Sequence, residues 1–257
     1  MLTLEQIKTS FPKDVFERNS KAALVEYLQY ELLDSIFKQP GSEQLSFIGG
    51  TAIRIAYGSS RFSEDIDFDN FGLSFDEFKE ILHKTARDMV YKGFDIEFRF
   101  VEKGAYHCYI KFPHLLLKNN LSDQKEEKIL VRIDATLKRE NAKPDIYILN
   151  GFDVYRKISV NNISVILSQK LIAIMERKKE KGRDFYDVSY LLGKTDPDYD
   201  FLKEEYGCSK EDLKKKILSK IEALDMSFLA KDVLPFLMNP DDRTRVLDFK
   251  EYIRQKL

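Results

Sequence analysis

Residues 49–70 read GGTAIRIAYGSSRFSEDIDFDN and combine a glycine turn with a segment that carries acidic side chains at alternate positions. If this segment is a strand, Asp65 and Asp67 point to one side and Ile66 and Phe68 to the other, because side chains alternate along a strand. Two carboxylates held a few ångströms apart repel each other unless a cation sits between them. The pattern therefore predicts an apolar sheet face backed by a cation-binding face.

The glycine turn is predicted to open a short helix over residues 51–56. Backbone N–H groups at the beginning of a helix have no partner within the helix, and they suit a phosphate group. We therefore expect Gly49, Gly50 and Thr51 to hold phosphates. A metal beside a phosphate cradle is the apparatus of phosphoryl or nucleotidyl transfer.

A third carboxylate is usually needed where two Mg²⁺ or Mn²⁺ ions are bound, and Asp134 is the best candidate. It lies in the otherwise apolar segment 131–135 (VRIDA), where a lone acid costs free energy unless it is paired or bound to a metal. Glu97 is the alternative. It belongs to a segment of regular alternation, which is typical of a half-exposed strand, so we favour Asp134.

Two other interpretations of the acidic segment are a calcium loop and a merely solvated surface strand. An EF-hand loop that began at Asp65 would need Gly at its sixth position and Glu at its twelfth, but Asn70 and Asp76 stand there. Ile66 and Phe68 also favour a buried sheet face over a solvated loop. Both observations argue against a calcium loop, and we favour the two-metal site over a merely solvated acidic strand.

The composition is that of a charge-rich globular protein, with 43% hydrophobic and 33% charged residues in 257. The formal net charge is −1, so binding of a polyanion depends on local basic patches. Without an apolar run of about 18 residues or a charged-then-apolar leader, we expect neither a membrane span nor secretion. Cys108 and Cys208 are too isolated for a disulfide scaffold or a zinc site, which indicates reduced thiols in a cytoplasm.

The predicted elements indicate an α+β fold, in which a mixed-sheet lobe precedes a helical lobe. The expected strands are residues 45–48, 65–69, 94–101, 106–112 and 129–137. The expected helices are residues 21–37, 51–56, 74–90, 165–177, 183–192, 210–224 and 227–238. We predict one domain over 1–155 and a second over 156–257. The connection near 140–160 contains Pro144 and Gly151, and it is either a linker or the site of a further strand over 145–149.

The glycine pair, the short helix and the Asp-x-Asp between hydrophobic residues resemble the nucleotidyltransferase fold of the polymerase β type. The longer pattern Gly-Gly-Thr-Ala-x-Arg-x-x-Tyr-Gly, followed by Arg-x-Ser-x-Asp-Ile-Asp-Phe, is similar to the AbiEii/AbiGii toxin family. That family is the nucleotidyltransferase half of a bacterial toxin–antitoxin pair. The resemblance implies a nucleotidyltransferase N-terminal lobe with a helical C-terminal lobe.

A further motif consists of Lys170 on a predicted helix and the later segment 183–188, RDFYDV. By itself it is an ordinary helix start beside a solvated basic stretch. In the toxin family, however, a helix lysine followed by Arg-Asp-x-x-Asp recurs. The resemblance implies that Lys170 and Asp184 are catalytic. Lys170 would bind the nucleotide triphosphate as a point charge, and Asp184 would orient that lysine or an acceptor group.

Together these motifs predict metal-assisted transfer of a nucleoside monophosphate from an NTP to an acceptor hydroxyl. Arg61, Ser63 and Lys170 are expected to neutralise further phosphate charge. No catalytic role is assigned to any of the three histidines, His83, His107 and His114, because they do not form a metal-spaced cluster.

The acceptor that the family suggests is RNA, such as the 3′ end of a tRNA, and the family also implies a cognate antitoxin protein. The basic stretches 177–183 and 210–216 suit an RNA backbone, although the second is equally typical of the polar face of an amphipathic helix. Two alternatives stay open. One is a nucleotidyltransferase that acts on a protein or a small molecule, and the other is a growth inhibitor that binds NTP without turnover.

Overall fold

The computed structural model describes residues 1–138 and 144–257. These residues form two compact units. The first comprises Met1–Ala56 and Phe62–Val160, and the second comprises Tyr57–Arg61 and Asn161–Leu257. The short segment Tyr57–Arg61 therefore belongs to a different unit from the residues on either side of it.

The first unit is built on a seven-stranded mixed sheet. Its strands are β1 (Leu45–Ile48), β2 (Ile66–Asn70), β3 (Glu97–Glu102), β4 (Tyr106–Phe112), β5 (Ile129–Leu137), β6 (Asp145–Gly151) and β7 (Val154–Val160). They lie in the order β3-β4-β5-β2-β1-β7-β6. The pairs β2/β5 and β1/β7 are parallel, and the other neighbours are antiparallel. The acidic strand β2 thus lies in the middle of the sheet, and the predicted α+β class is confirmed.

The first unit also contains helices. They are α1 (Leu4–Lys8), α2 (Lys13–Phe37), α3 (Gly49–Ile55), α4 (Phe75–Tyr91) and α5 (Leu115–Lys118). Helices α2 and α4 pack on each other and on the strands. Phe68 of β2 is buried, and its ring lies 5.9 Å from the ring of Phe37 and 6.0 Å from that of Phe47. Burial of such a side chain contributes about 1.5–3 kcal/mol, which fixes the face that β2 turns inward.

Several predicted elements are confirmed with their bounds. Strands β1, β4 and β5 occupy the predicted residues. Helix α4 begins with a capping box, in which the Ser74 hydroxyl accepts from the Glu77 N–H while the Glu77 carboxylate accepts from the Ser74 N–H. Such a cap contributes about 1 kcal/mol.

The connection near 140–160 contributes two strands to the sheet and is not a linker. Residues 139–143 lie outside the described part, and β6 and β7 form an antiparallel hairpin at one edge of the sheet. Strand β7 alternates buried Val154, Ile158 and Val160 with polar side chains, which is the pattern of a half-buried strand. The charged residues between the apolar positions hid this alternation.

The second unit is helical. Its helices are α6 (Ile163–Glu176), α7 (Gly182–Leu191), α8 (Tyr199–Tyr206), α9 (Lys210–Glu222), α10 (Met226–Val233), α11 (Thr244–Leu247) and α12 (Phe249–Lys256). Helix α7 is central, since it contacts α6, α10, α11 and α12. The sequence did not predict α8, α11 or α12. Within residues 1–138 and 144–257, no helix is long and apolar enough to cross a membrane.

Candidate active site

Three acidic side chains meet on one face of the sheet in the first unit. The parallel register of β2 and β5 sets Asp67 directly beside Asp134. Asp65 immediately precedes β2 and lies two residues from Asp67, so both are directed to the same side. The Asp134 side chain is 17% exposed and that of Asp65 is 33% exposed, which leaves the group open to solvent. The structure therefore brings the three predicted carboxylates together.

The glycine turn packs directly against these acids. Gly49 has a backbone φ of +77°, a left-handed conformation that favours glycine, and a Cβ at this position would overlap the Asp67 carboxylate. The Thr51 hydroxyl donates a hydrogen bond to the Asp65 carbonyl oxygen. Thr51 is consequently fully buried between α3 and β2, and Gly50 is buried beside it, so that of the three predicted phosphate-binding residues Gly49 is the half-exposed one. The predicted helix begins at Gly49 rather than at Thr51.

Two further residues contact the acids, and sequence reasoning missed both. The His107 Nδ1 atom lies 2.7 Å from Asp134 Oδ1, because the antiparallel register of β4 and β5 sets the two residues side by side. Arg132 Nη2 lies 3.0 Å from Asp65 Oδ2, and Arg132 Nε lies 3.0 Å from Asp134 Oδ2. Arg132 precedes Asp134 by two residues on β5, so the strand period alone would have placed it on the same face.

The acids stabilise the charge of this arginine. Burial opposes the charge on Arg132, but the carboxylates of Asp65, Asp134 and Asp67 raise its pKa above the ordinary value. Arg132 is thus a permanent cation between two of the three acids. Its positive charge partly offsets the mutual repulsion of the neighbouring carboxylates.

The residue types fit a divalent cation, since carboxylate oxygens are the ligands that Mg²⁺ and Mn²⁺ prefer. The arrangement differs from the predicted three-carboxylate site. Among the described residues, no group of three or more His, Cys, Asp or Glu side chains is already placed to hold a metal ion. On this face of the sheet, Asp65 and Asp134 both contact Arg132.

Two other residues singled out from the sequence lie in different surroundings. Glu97, the alternative to Asp134, is on edge strand β3, where its carboxylate accepts from Lys128 Nζ at 2.9 Å. Two strands separate it from β2. Ser63 is half-buried, and its carbonyl oxygen accepts from Gln29 Nε2 at 2.9 Å. The geometry therefore favours Asp134 over Glu97 as the neighbour of Asp67.

The second unit contains a network of buried charges around Lys170 of α6. Lys170 Nζ lies 2.9 Å from Asp184 Oδ1 and 2.9 Å from Asp187 Oδ2. Arg177 Nε lies 3.0 Å from Asp184 Oδ2. Both aspartates are on α7 and at most 5% exposed, so α6 and α7 are joined by charge as well as by apolar contacts. The spacing of three residues turns both carboxylates toward α6.

Arg61 completes the network and occupies a different place from the one predicted. Its side chain is 2% exposed, and Nε and Nη2 each lie 2.6 Å from a carboxylate oxygen of Asp187. A buried guanidinium in a bidentate pair is committed to its carboxylate. We predicted that Arg61 neutralises nucleotide phosphate. The structure instead places it in an ion pair with Asp187 inside the second unit.

The network favours the charged forms of Lys170 and Asp184. Burial disfavours the charge on Lys170, yet Asp184 and Asp187 raise its pKa above the ordinary value. Burial likewise acts to raise the pKa of Asp184, but Lys170 and Arg177 outweigh it, so that pKa lies below its ordinary value. Three cations face two carboxylates, and the network carries an excess of positive charge that is suited to an anion.

Comparison with known proteins connects this geometry to a family. The family described as "Nucleotidyl transferase AbiEii toxin, Type IV TA system" matches residues 31–253. The fold is similar to that of MenT4, a nucleotidyltransferase toxin from Mycobacterium tuberculosis H37Rv, with a TM-score of 0.61 and 14% identity over 99% of this chain and 90% of that chain. It is also similar to JHP933 from Helicobacter pylori, with a TM-score of 0.56 and 17% identity over 91% of each chain.

At these identities the two structures show a likeness of fold alone, and no curated protein matches the sequence. The family match covers both the acidic strand and the Lys170 network. It implies an NTP substrate and a cognate antitoxin. The chain belongs to the AbiEii family of nucleotidyltransferase toxins.

Proposed function

We propose that this toxin transfers a nucleoside monophosphate from an NTP to a hydroxyl of RNA, such as the 3′ end of a tRNA, in the cytoplasm. The observation that carries the proposal is the register of β2 and β5, which sets Asp67 beside Asp134 next to the glycine turn. A pair of acids beside a glycine-lined helix start suits a cation and a phosphate together.

Asp65, Asp67 and Asp134 would hold two Mg²⁺ or Mn²⁺ ions through their carboxylate oxygens. When bound, the cations supply the charge that lowers the pKa of an acceptor hydroxyl and stabilises a leaving pyrophosphate. His107 holds Asp134 in place through its Nδ1 atom. Since the cations activate the acceptor, no general base is assigned.

Gly49, Gly50 and Thr51 would bind the β- and γ-phosphates through their backbone N–H groups. Because Gly49 has no side chain, the backbone there approaches the Asp67 carboxylate closely. A phosphate on this turn would consequently lie near the acids that hold the cations. Ser63, which is half-buried, would contribute its hydroxyl.

Lys170 and Asp184 would act on the triphosphate, as the resemblance to the family implies. The Lys170 ammonium contacts Asp184 and Asp187, and the third of its three N–H groups would donate to a phosphate oxygen. Asp184 would orient the lysine through their 2.9 Å contact. This part of the proposal is supported by the positive excess of the network.

The choice of RNA as acceptor is supported by a basic groove on α9. The groove has a volume of about 480 Å³ and is lined by Lys215, Lys216 and Lys220, with Asp212 at its side. Lys215 and Lys216 are exposed. Exposed lysines on a helix suit the phosphodiester backbone of a nucleic acid.

The test is induction of the intact chain in a host without the antitoxin, followed by sequencing of cellular RNA 3′ ends. Growth should stop, and RNA 3′ ends should carry added nucleotides. Purified protein incubated with total RNA and each α-labelled NTP identifies the base. Toxicity without RNA extension would indicate a protein or small-molecule acceptor, and NTP binding without any transfer would indicate an inhibitor that acts without turnover. Normal growth would contradict the toxin function.

A further inference from the structure

Arg132 contacts the acids in the way that a bridging cation would. One planar guanidinium donates from Nη2 to Asp65 Oδ2 at 3.0 Å, and its Nε lies 3.0 Å from Asp134 Oδ2 as an ion pair that lacks hydrogen-bond geometry. The two carboxylate oxygens, both Oδ2, are therefore already engaged on the sheet face proposed for a divalent cation. Any metal ion that uses these oxygens must compete with the arginine.

The charges favour replacement of the Arg132 guanidinium by a divalent cation. Asp65, Asp67 and Asp134 carry three negative charges, and Arg132 offsets one of them. A divalent cation offsets two and binds carboxylate oxygens at shorter distances than a guanidinium does. The Arg132 side chain is 38% exposed, so it has solvent to move into. Displacement therefore needs no rearrangement of the strands.

We propose that Arg132 is a displaceable counter-ion that holds the acids together until a divalent cation binds, and that then turns to the phosphates of the nucleotide. A guanidinium released beside a triphosphate has a planar fork of donors that matches phosphate oxygens. The inference rests on the proposed function, since it adds a residue that contacts the nucleotide phosphates to the same site.

The experiment compares Mn²⁺ binding by the wild-type protein, Arg132→Gln and a matched control, Arg156→Gln. Arg156 is also a strand arginine, is 34% exposed and contacts a single aspartate, Asp34, at 2.8 Å. Isothermal titration without nucleotide should show Mn²⁺ binding about tenfold more tightly to Arg132→Gln, a change of about 1.4 kcal/mol. The control should bind Mn²⁺ as the wild type does.

A second titration uses NTP analogues with a non-hydrolysable α–β linkage at saturating Mn²⁺. The affinity of Arg132→Gln should fall about tenfold, because the released guanidinium is missing. If Arg132→Gln does not fold, Arg132→Lys replaces it in both titrations. An ammonium cannot contact two carboxylates as a fork, so Mn²⁺ should again bind more tightly than to the wild type, by a smaller factor.

Equal or weaker Mn²⁺ binding in both Arg132 variants would overturn the counter-ion role. Unchanged analogue affinity at saturating Mn²⁺ would overturn the phosphate contact. These results are distinct from failure of the proposed function, in which the wild-type protein itself would bind neither Mn²⁺ nor any NTP analogue.

Discussion

Asp67 lies at the point where three elements of the first unit meet. It pairs with Ile48 of β1, lies beside Asp134 of β5 and packs against Gly49 at the start of α3. Asp67→Asn preserves the shape of the side chain and removes its charge. We expect nucleotide transfer to fall at least about a hundredfold, because the proposed site loses one carboxylate ligand of its cation. Thermal stability should be unchanged or higher, since repulsion among the acids decreases.

The matched control for Asp67→Asn is Asp95→Asn, which neutralises an exposed aspartate whose carboxylate accepts from Lys118. Incorporation of α-labelled NTP measures activity, and thermal unfolding measures stability. Transfer at the wild-type rate in Asp67→Asn would exclude the acid from the reaction.

Lys170 has a structural role whether or not it binds a phosphate. Lys170→Met keeps the length of the side chain and leaves Asp184 and Asp187 with one arginine each. We expect the free energy of unfolding to decrease by about 3 kcal/mol, the lower end of the range for a broken buried ion pair. Urea unfolding checks this, and Lys203→Met, at an exposed position, is the control. A change below about 0.5 kcal/mol would show that the network adds no stability.

Asp184 should make the fold sensitive to acid. Its pKa is lowered in the folded protein from an ordinary value of 3.8. The unfolded chain therefore binds this proton more readily, so the free energy of unfolding decreases as the pH falls below about 3.8. Urea unfolding from pH 5 down to pH 2.5 should show a shallower dependence in Asp184→Asn. An identical pH dependence in both proteins would refute this contribution.

Individual residues of the site were predictable to different degrees. Asp65 and Asp67 follow from a strand period within one segment, and Asp134 from the cost of a lone acid in an apolar strand. His107 required the register between β4 and β5, and Arg61 required a partner 126 residues away. Such long-range pairings are set by tertiary packing and leave no local pattern in the sequence.

At the scale of elements, helix α7 begins against the backbone of α10. The Gly182 N–H donates to Asp232 Oδ2 at 2.7 Å, and a Cβ at Gly182 would overlap the Leu229 carbonyl oxygen. Gly182→Ala should therefore destabilise the protein by about 1–3 kcal/mol, because the obstacle is backbone. The control is Gly193→Ala, where the nearest atom to an added Cβ is 3.4 Å away. Calorimetric unfolding of both variants compares them, and equal stabilities would contradict close packing at Gly182.

The elements that the sequence predicted share strong local signals. Helix α4 has its capping box, and β4 and β5 have apolar residues at every second position. The elements that it missed are short helices and a strand whose apolar positions are separated by charges. Helix α11 has only four residues, Thr244–Leu247, too few for a helical period to stand out.

At the scale of the whole molecule, the net charge of −1 gives no general attraction to RNA. Binding should depend on the α9 groove, so Lys215→Glu with Lys216→Glu should weaken tRNA binding at least about tenfold at low salt. The slope of log affinity against log salt should decrease by roughly 1.4 to 1.8, for two lost phosphate contacts. Fluorescence anisotropy with labelled tRNA at several salt concentrations measures both.

The control double variant is Lys203→Glu with Lys231→Glu, which changes two exposed lysines of the same unit and makes the same change in net charge. It should bind tRNA nearly as the wild type does. Equal losses in the two double variants would mean that total charge, rather than the groove, governs binding.

The membership of Tyr57–Arg61 in the second unit has a consequence for the order of synthesis. The ribosome makes Arg61 before the acidic strand, but Asp187 follows 126 residues later, which takes roughly 6 to 25 seconds. During that interval the guanidinium remains solvated, because the interior that receives it has not yet been made. The second unit is therefore completed only when helices that are made late pack against a segment that is made early. Until then, the growing toxin chain already contains Asp65, Asp67 and Asp134.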